Sequence, residues 1–346
     1  MEDSNSVDLF IETRKKDFCI ACNAEGVDFI SDLKDRFYDI PGNWNLSKCK
    51  NPDCRLVWLN PAPVKEEIWK TYSSYYTHKD TSSTWSTLLK KMGKGYLSVR
   101  YGYNASITEK ILGLIPFLFP TERVEFDFEI LYLKKPKNRL KLLDVGCGNG
   151  RFLMKLNGCG WEVQGTEIDQ KAVDYCKSKG LNVVNGEITE LDFDNDSFDV
   201  ITINHVIEHH FDPITLLKKC KSLLKSDGRL IVLTPNSKSH SFQKFKSFWY
   251  HLDPPRHLCI FNPDNLSKLA QKAGFELIDV KTTSRNEFWV YHTSQIIRKK
   301  AAFRIMEGKK SISGLIIGKF YQMFIWLLLF FDKDAGSEIV LKAKKK

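Results

Sequence analysis

LLDVGCGNGRFL (142–153) is the stretch on which the fold turns. A strand-like run ends at Asp144, three glycines follow at alternate positions, and a helix-like pattern begins near Arg151. Glycine suits that turn because the backbone must bend sharply and lie close to a ligand, leaving the first N–H groups of the helix free to meet it. Working outward, the same unit recurs. KLLDVG (141–146) precedes GRFLMKLN, and WEVQGTEI (161–168) precedes DQKAVDYCKSKG. NVVNGEI (182–188) leads to FDVITINHVI (198–207), which precedes PITLLKKCKSLLKSDG; RLIVLTP (229–235) closes the run. Strands alternating with helices predict an α/β, doubly wound, mostly parallel sheet that binds its ligands at the carboxyl ends of the strands. A capped helix in NPDNLSKLAQKAGF (262–275), a strand in ELIDVKTT and a last strand in SEIVLKAKKK complete the pattern.

The whole chain has 346 residues, with 52 Lys+Arg against 42 Asp+Glu for a net charge of +10, and 42% hydrophobic residues. That composition excludes a disordered, collagen-like or disulfide-dense protein and has room for about two domains. The N-terminus, MEDSNSVDLFIETRKKDF, carries no apolar core behind a basic start, which predicts a cytoplasmic protein. Its nine cysteines are then read for metal binding, packing or catalysis. The positive charge favours anionic partners without choosing among them.

Glu167 ends the next strand 19 residues after Gly148, the spacing of an acid that takes a ribose diol. Two nucleoside ligands fit, a dinucleotide and S-adenosylmethionine, so an NAD(P)-dependent oxidoreductase stands beside a methyltransferase. The pattern from Asp144 through Gly146, Gly148 and Gly150 departs from the dinucleotide fingerprint because position 151 is Arg. It resembles motif I of class I S-adenosylmethionine-dependent methyltransferases, and FDVITINHVIEHHFDP (198–213) resembles the fourth-strand motif of one large subgroup. The resemblance covers most of 139–285 and implies a seven-stranded sheet. It further implies that the glycines hold the methionine end of the donor with Asp144, and that Glu167 takes the ribose. Ile168 would lie beside the adenine, Glu187 and Ile188 would meet its amino edge, and Asn204 would complete the donor site.

Cys19-Ile-Ala-Cys22 and Cys49-Lys-Asn-Pro-Asp-Cys54 are two short-spaced pairs, 26 residues apart. Two such knuckles supply four thiolates for a closed, structural Zn2+ site. The following LVWLNPAPVKEEIWKTYSSYY resembles the segment after the second knuckle in methyltransferases with an N-terminal zinc ribbon, a group associated with glycan, nucleotide-sugar or natural-product methylation. In that resemblance Tyr72, Tyr75 and Tyr76 lie near the substrate cleft; helix packing is the alternative. Cys147, Cys159, Cys176, Cys220 and Cys259 have no metal spacing and read as packing residues.

Methyl transfer to a hydroxyl needs alignment and a base for the proton. Histidine suits this near neutral pH, and His257, His251 and His205 are the candidates in that order. His257 leads because Pro255-Arg256-His257 before an apolar run resembles the zinc-ribbon subgroup. The Tyr/His/Glu-rich signature of sugar C-methyltransferases is not found, which leaves O- or N-methylation of a small-molecule or glycan acceptor. Nucleic acid is disfavoured as a partner, since the basic residues are scattered or terminal. A zinc-ribbon nucleic-acid-binding protein with a degenerate methyltransferase domain is kept as a further reading.

The division that follows is 1–76 zinc-ribbon module, 77–138 helical linker or lid, 139–285 donor-binding core, 286–335 helical insertion and 336–346 last strand with a basic tail. Within the insertion, 312–331 is strongly apolar, yet only Phe320 to Phe331 approaches continuity, short of a membrane span. It reads either as a helix buried against the sheet or as a peripheral membrane contact at the interface.

Overall fold

The computed structural model describes residues 10–72, 87–300 and 311–346. Tyr75 and Tyr76 lie outside them. Near the N-terminus β1 (Gly26–Leu33), β2 (Trp44–Cys49) and β3 (Val57–Leu59) pair antiparallel, and α1 (Thr87–Tyr101) and α2 (Pro120–Phe128) follow. The large sheet takes β4 (Leu140–Val145), β5 (Trp161–Glu167), β6 (Asn182–Asn185), β7 (Phe198–Asn204) and β8 (Leu224–Pro235). Between these strands run α3 (Arg151–Leu156), α4 (Gln170–Ser178) and α5 (Pro213–Leu223). The short β9 (Cys259–Ile260) precedes α6 (Pro263–Lys272) and β10 (Phe275–Thr283). Then α7 (Glu287–Lys300) and α8 (Ile312–Leu328) lead to β11 (Glu338–Lys345).

Seven strands form one sheet in the order β10-β11-β8-β7-β4-β5-β6. All its pairings are parallel except those of β11, which slots antiparallel between β8 and β10. With helices on both faces the central strands carry apolar side chains on both sides: Leu142, Leu143, Ile201 and Ile203 are fully buried. From β4 the chain winds outward through β5 and β6 on one side and returns to β7 and β8 on the other. A crevice opens where the winding reverses. Val145 pairs with Ile203, so the glycine loop after β4 and Asn204 at the end of β7 share its rim.

The boundary between α5 and β8 differs from the expectation. The helix stops at Leu223 instead of running through 228, and the strand starts at Leu224 with a register shift before Arg229. The polar Lys225-Ser226-Asp227-Gly228 is absorbed as an irregularity within the strand. A second departure is that β9, from the segment after β8, pairs with β3, giving the N-terminal sheet the order β9-β3-β2-β1. Asn262, which caps α6, and Asn265 both donate side-chain N–H groups to the Cys54 carbonyl, at 2.8 and 3.0 Å. Apolar packing is continuous from Trp58 and Leu59 through Ile203 and Leu230 to Leu341.

Candidate active site

Gly146 and Gly148 have φ of +66° and +56°, a region that glycine enters without strain. A Cβ on Gly146 would lie 2.5 Å from Val206, whereas one on Gly148 meets nothing within 4 Å. The open space above Gly148 belongs to a cavity of about 300 Å3. Gly146, Gly148, Glu167, Ile168, Glu187, Ile188 and Asn204 all line it. Asp144 lines an adjoining cavity of about 320 Å3 that also touches Gly146 and Asn204. Gly150 lines neither; it packs against Leu181 and Cys176.

The acids are held firmly. Glu167 accepts from the N–H of Gly148 at 2.8 Å with one oxygen, and from Ile168 and Asp169 with the other. It thereby braces the loop whose ligand it would share. Asp144 is buried and accepts from the Thr202 hydroxyl at 2.6 Å; burial pushes its carboxyl up to about 7. For Glu187 burial alone would raise the value. The Thr189 hydroxyl, His210 Nε2 at 2.7 Å and Lys65 at 3.3 Å hold it below the usual carboxylate range.

Beside this cavity lies another, of about 360 Å3, lined by Asn204, His205, His251, His257, Arg285 and Glu338 among others. Phe37, Tyr38, Phe128 and Tyr250 form its aromatic walls. Asn204 lines all three cavities and so marks where they meet. Four buried polar atoms on this wall have no hydrogen-bond partner: Asn204 Oδ1, His251 Nε2, Arg285 Nε and Glu338 Oε2. Tyr72 lies on the donor side instead, its hydroxyl 3.1 Å from His209 Nδ1.

The three candidate histidines occupy different protonation states. Both ring nitrogens of His205 sit 3.1 Å from a carboxylate, Glu208 on one side and Glu338 on the other. Burial alone would depress its pKa, but the two acids reverse this and lift it to about 9. Burial lowers His251 to about 3 and, with neighbouring His209, lowers His257 to about 4. Near neutral pH His205 is therefore a cation and the other two are neutral. His257 Nδ1 donates to the His251 carbonyl at 2.8 Å, which leaves its Nε2 unprotonated, 4.0 Å from Asp253.

A stability profile follows. The folded pKa of His205 lies above its unfolded value, so its contribution is complete below about pH 6.5 and is lost as pH rises through about 9. Glu208, held down to about 2, contributes above about pH 4.5 and loses that contribution under acid. The melting temperature is expected to decline between pH 6.5 and 9, and His205→Gln to flatten that limb. An unchanged alkaline slope in the variant would contradict the assignment.

Sequence reasoning missed Arg256, Arg285 and Glu338. Arg256 is fully buried and forks onto Asp35 through two bonds of 2.8 Å, while also pairing with Asp253. It locks the N-terminal module onto the loop that carries His251 and His257. Arg285 reaches Glu338 at 2.7 Å and stacks on Phe128. Arg256 entered the sequence reading only as part of the Pro255-Arg256-His257 pattern, because its partner Asp35 lies 221 positions away.

In the N-terminal module the four cysteine sulfurs lie within 4.8 Å of one another. Cys19 Sγ is 3.7 Å from Cys54 Sγ, and Cys22 Sγ is 3.4 Å from Cys49 Sγ. A tetrahedron of sulfurs around zinc has edges of about 3.8 Å at the usual bond length, so the set fits that ion.

A family described as a methyltransferase domain matches residues 114–280. A ubiquinone biosynthesis O-methyltransferase of Cereibacter sphaeroides is 31% identical over 169 residues, covering 45% of this chain and 68% of that protein. One from Glaesserella parasuis is 32% identical over 127 residues, covering 33% of this chain and 54% of that protein, so the chain spans about half of that relative's length. Among solved structures, a SAM-dependent methyltransferase from Archaeoglobus fulgidus is 21% identical with a TM-score of 0.45, covering 67% of this chain and 98% of that one. The chain belongs to the S-adenosylmethionine-dependent methyltransferases. This sets the oxidoreductase reading aside.

Proposed function

We propose that the protein methylates a hydroxyl oxygen of a small acceptor held between Asn204, His251, Arg285 and Glu338. The four unpartnered atoms on that wall carry the reading: three accept hydrogen bonds, one donates, and aromatic rings stand around them. A flat ring bearing neighbouring hydroxyls satisfies all four and stacks on the walls. The printed names of the relatives, ubiquinone biosynthesis O-methyltransferases, favour an aromatic diol. A sugar or glycan hydroxyl is the second reading; it offers the same donors but stacks less fully.

Bound S-adenosylmethionine would supply an electrophilic methyl group on a sulfonium. Gly146, Gly148 and Asp144 would hold its amino-acid end, Glu167 the ribose, and Glu187 with Ile168 and Ile188 the adenine. Asn204, common to the cavities, would align donor and acceptor. His205 is already protonated and accepts no further proton, which leaves His251 and His257 as bases. The unpartnered Nε2 of His251 favours it, while His257 positions it through the carbonyl bond. This reverses the order drawn from the sequence.

His251→Asn is expected to lower kcat by about 10²- to 10⁴-fold, with S-adenosylhomocysteine binding unchanged. A near-normal rate in that variant, with His257→Asn inactive, would transfer the role to His257. We further propose that the four cysteines hold a structural Zn2+ in a module that closes one side of the acceptor cavity through Phe37 and Tyr38. Elemental analysis is expected to find one zinc per chain, lost in Cys49→Ser; a metal-free, equally stable wild type would contradict it.

A further inference from the structure

α8 carries apolar residues on both its faces. Its inward face carries Gly318, Tyr321, Gln322 and Ile325, and Gln322 donates to the Ser284 carbonyl at 3.0 Å and to Glu125 at 2.9 Å. Gly318 lets the helix approach α7 closely, since a Cβ there would lie 2.4 Å from the Phe288 carbonyl oxygen. Outward positions follow helical spacing through Ile312, Ile316, Phe320, Phe324 and Leu327, and all are exposed; Phe320 is 73% accessible. Ordinary surface helices turn a polar face outward. Phe331, 91% accessible, extends the apolar face beyond the helix.

A second exposed apolar run adjoins it. Ile107, Ile111, Leu114, Leu118 and Phe119 lead directly into α2, whose Glu122 pairs with Lys319 of α8 at 2.9 Å. Cations border this surface. Arg100, Arg123 and Lys281 line a cavity of about 270 Å3 together with Trp326, Leu329 and Phe330, where Asp127 pairs with Arg100. α8 itself contains no Asp or Glu.

We propose that this surface docks the protein on an anionic lipid bilayer, with α8 lying in the interface. No helix among the described residues is long and apolar enough to cross a membrane. At 17 residues α8 is about 26 Å long, a length suited to lying flat with its aromatic residues at headgroup depth. Charge selects the bilayer over a second copy of the chain: self-association through this face would oppose two cationic rims, each on a chain of net charge +10. The docking goes beyond the proposed chemistry and does not depend on it. It sets the membrane beside Arg285 of the acceptor cavity, because Gln322 grips the neighbouring Ser284.

Flotation of the full chain with vesicles tests this. Wild-type protein is expected to float with phosphatidylcholine vesicles containing phosphatidylglycerol, and less in high salt. Phe320→Asp combined with Phe331→Asp is expected to cut the floated fraction at least about tenfold. S-adenosylhomocysteine binding and the melting curve show in parallel that the variant remains folded. Failure of wild-type protein to float, or equal flotation of the variant, would overturn the proposal. So would light scattering that finds a dimer which the double substitution dissociates, since the face would then join two copies.

Discussion

Glu167→Ala is expected to weaken S-adenosylhomocysteine binding by at least about 100-fold, because the two charge-assisted hydrogen bonds proposed to the ribose would be worth about 1.5–3 kcal/mol each. The substitution also releases the Gly148 N–H, which Glu167 holds at 2.8 Å, so the loop loses its brace together with its ligand. Glu167→Gln separates the two effects: it keeps an acceptor for the backbone and loses the charge. An intermediate loss is expected from it. Titration calorimetry reads both, and wild-type affinity in Glu167→Ala would remove the carboxylate from the donor site.

Arg256→Ala is expected to cost about 3–5 kcal/mol of stability, the usual result of stripping one partner from a buried charge pair. Asp35 would keep a buried carboxylate without its fork, and Asp253 would lose its nearest cation. Arg256→Lys is expected to recover only part of the loss, since an ammonium cannot span both oxygens of Asp35. Because Arg256 ties β1 and its following loop to the loop of His251 and His257, catalysis is expected to fall along with stability. Urea denaturation gives the energy, and a midpoint within error of wild type would show that β9 and the apolar packing alone hold the module.

These two residues mark the limit of what the sequence discloses. The place of Glu167 at the end of β5 beside the glycine loop was legible because local geometry fixes it: a strand ends, a helix begins, and the distance from the glycine turn is set by one strand–helix–strand unit. The alternation between 141 and 283 and the cysteine spacing were legible for the same reason. Arg256 was not, because its meaning lies in a partner that only the folded chain brings near. Glu338 likewise reads as one acid opening a terminal strand. It lines the histidine-bearing cavity only because β11 inserts between β8 and β10. The order of the histidines was not legible for an electrostatic reason: nothing in the sequence shows that the His205 ring lies between Glu208 and Glu338, the latter 133 positions away. The apolar segment was visible, but composition cannot tell which side of a helix faces inward, and here Gln322 turns inward while Phe320 and Phe324 face out.

The most direct test is a crystal structure with S-adenosylhomocysteine bound. The expected density places adenine between Ile168 and Ile188, the ribose on Glu167, and the sulfur beside Asn204 facing the wall of His251, Arg285 and Glu338. Density that puts the nucleoside in the histidine-lined cavity, or the sulfur turned away from Asn204, would contradict the assignment of donor and acceptor sites.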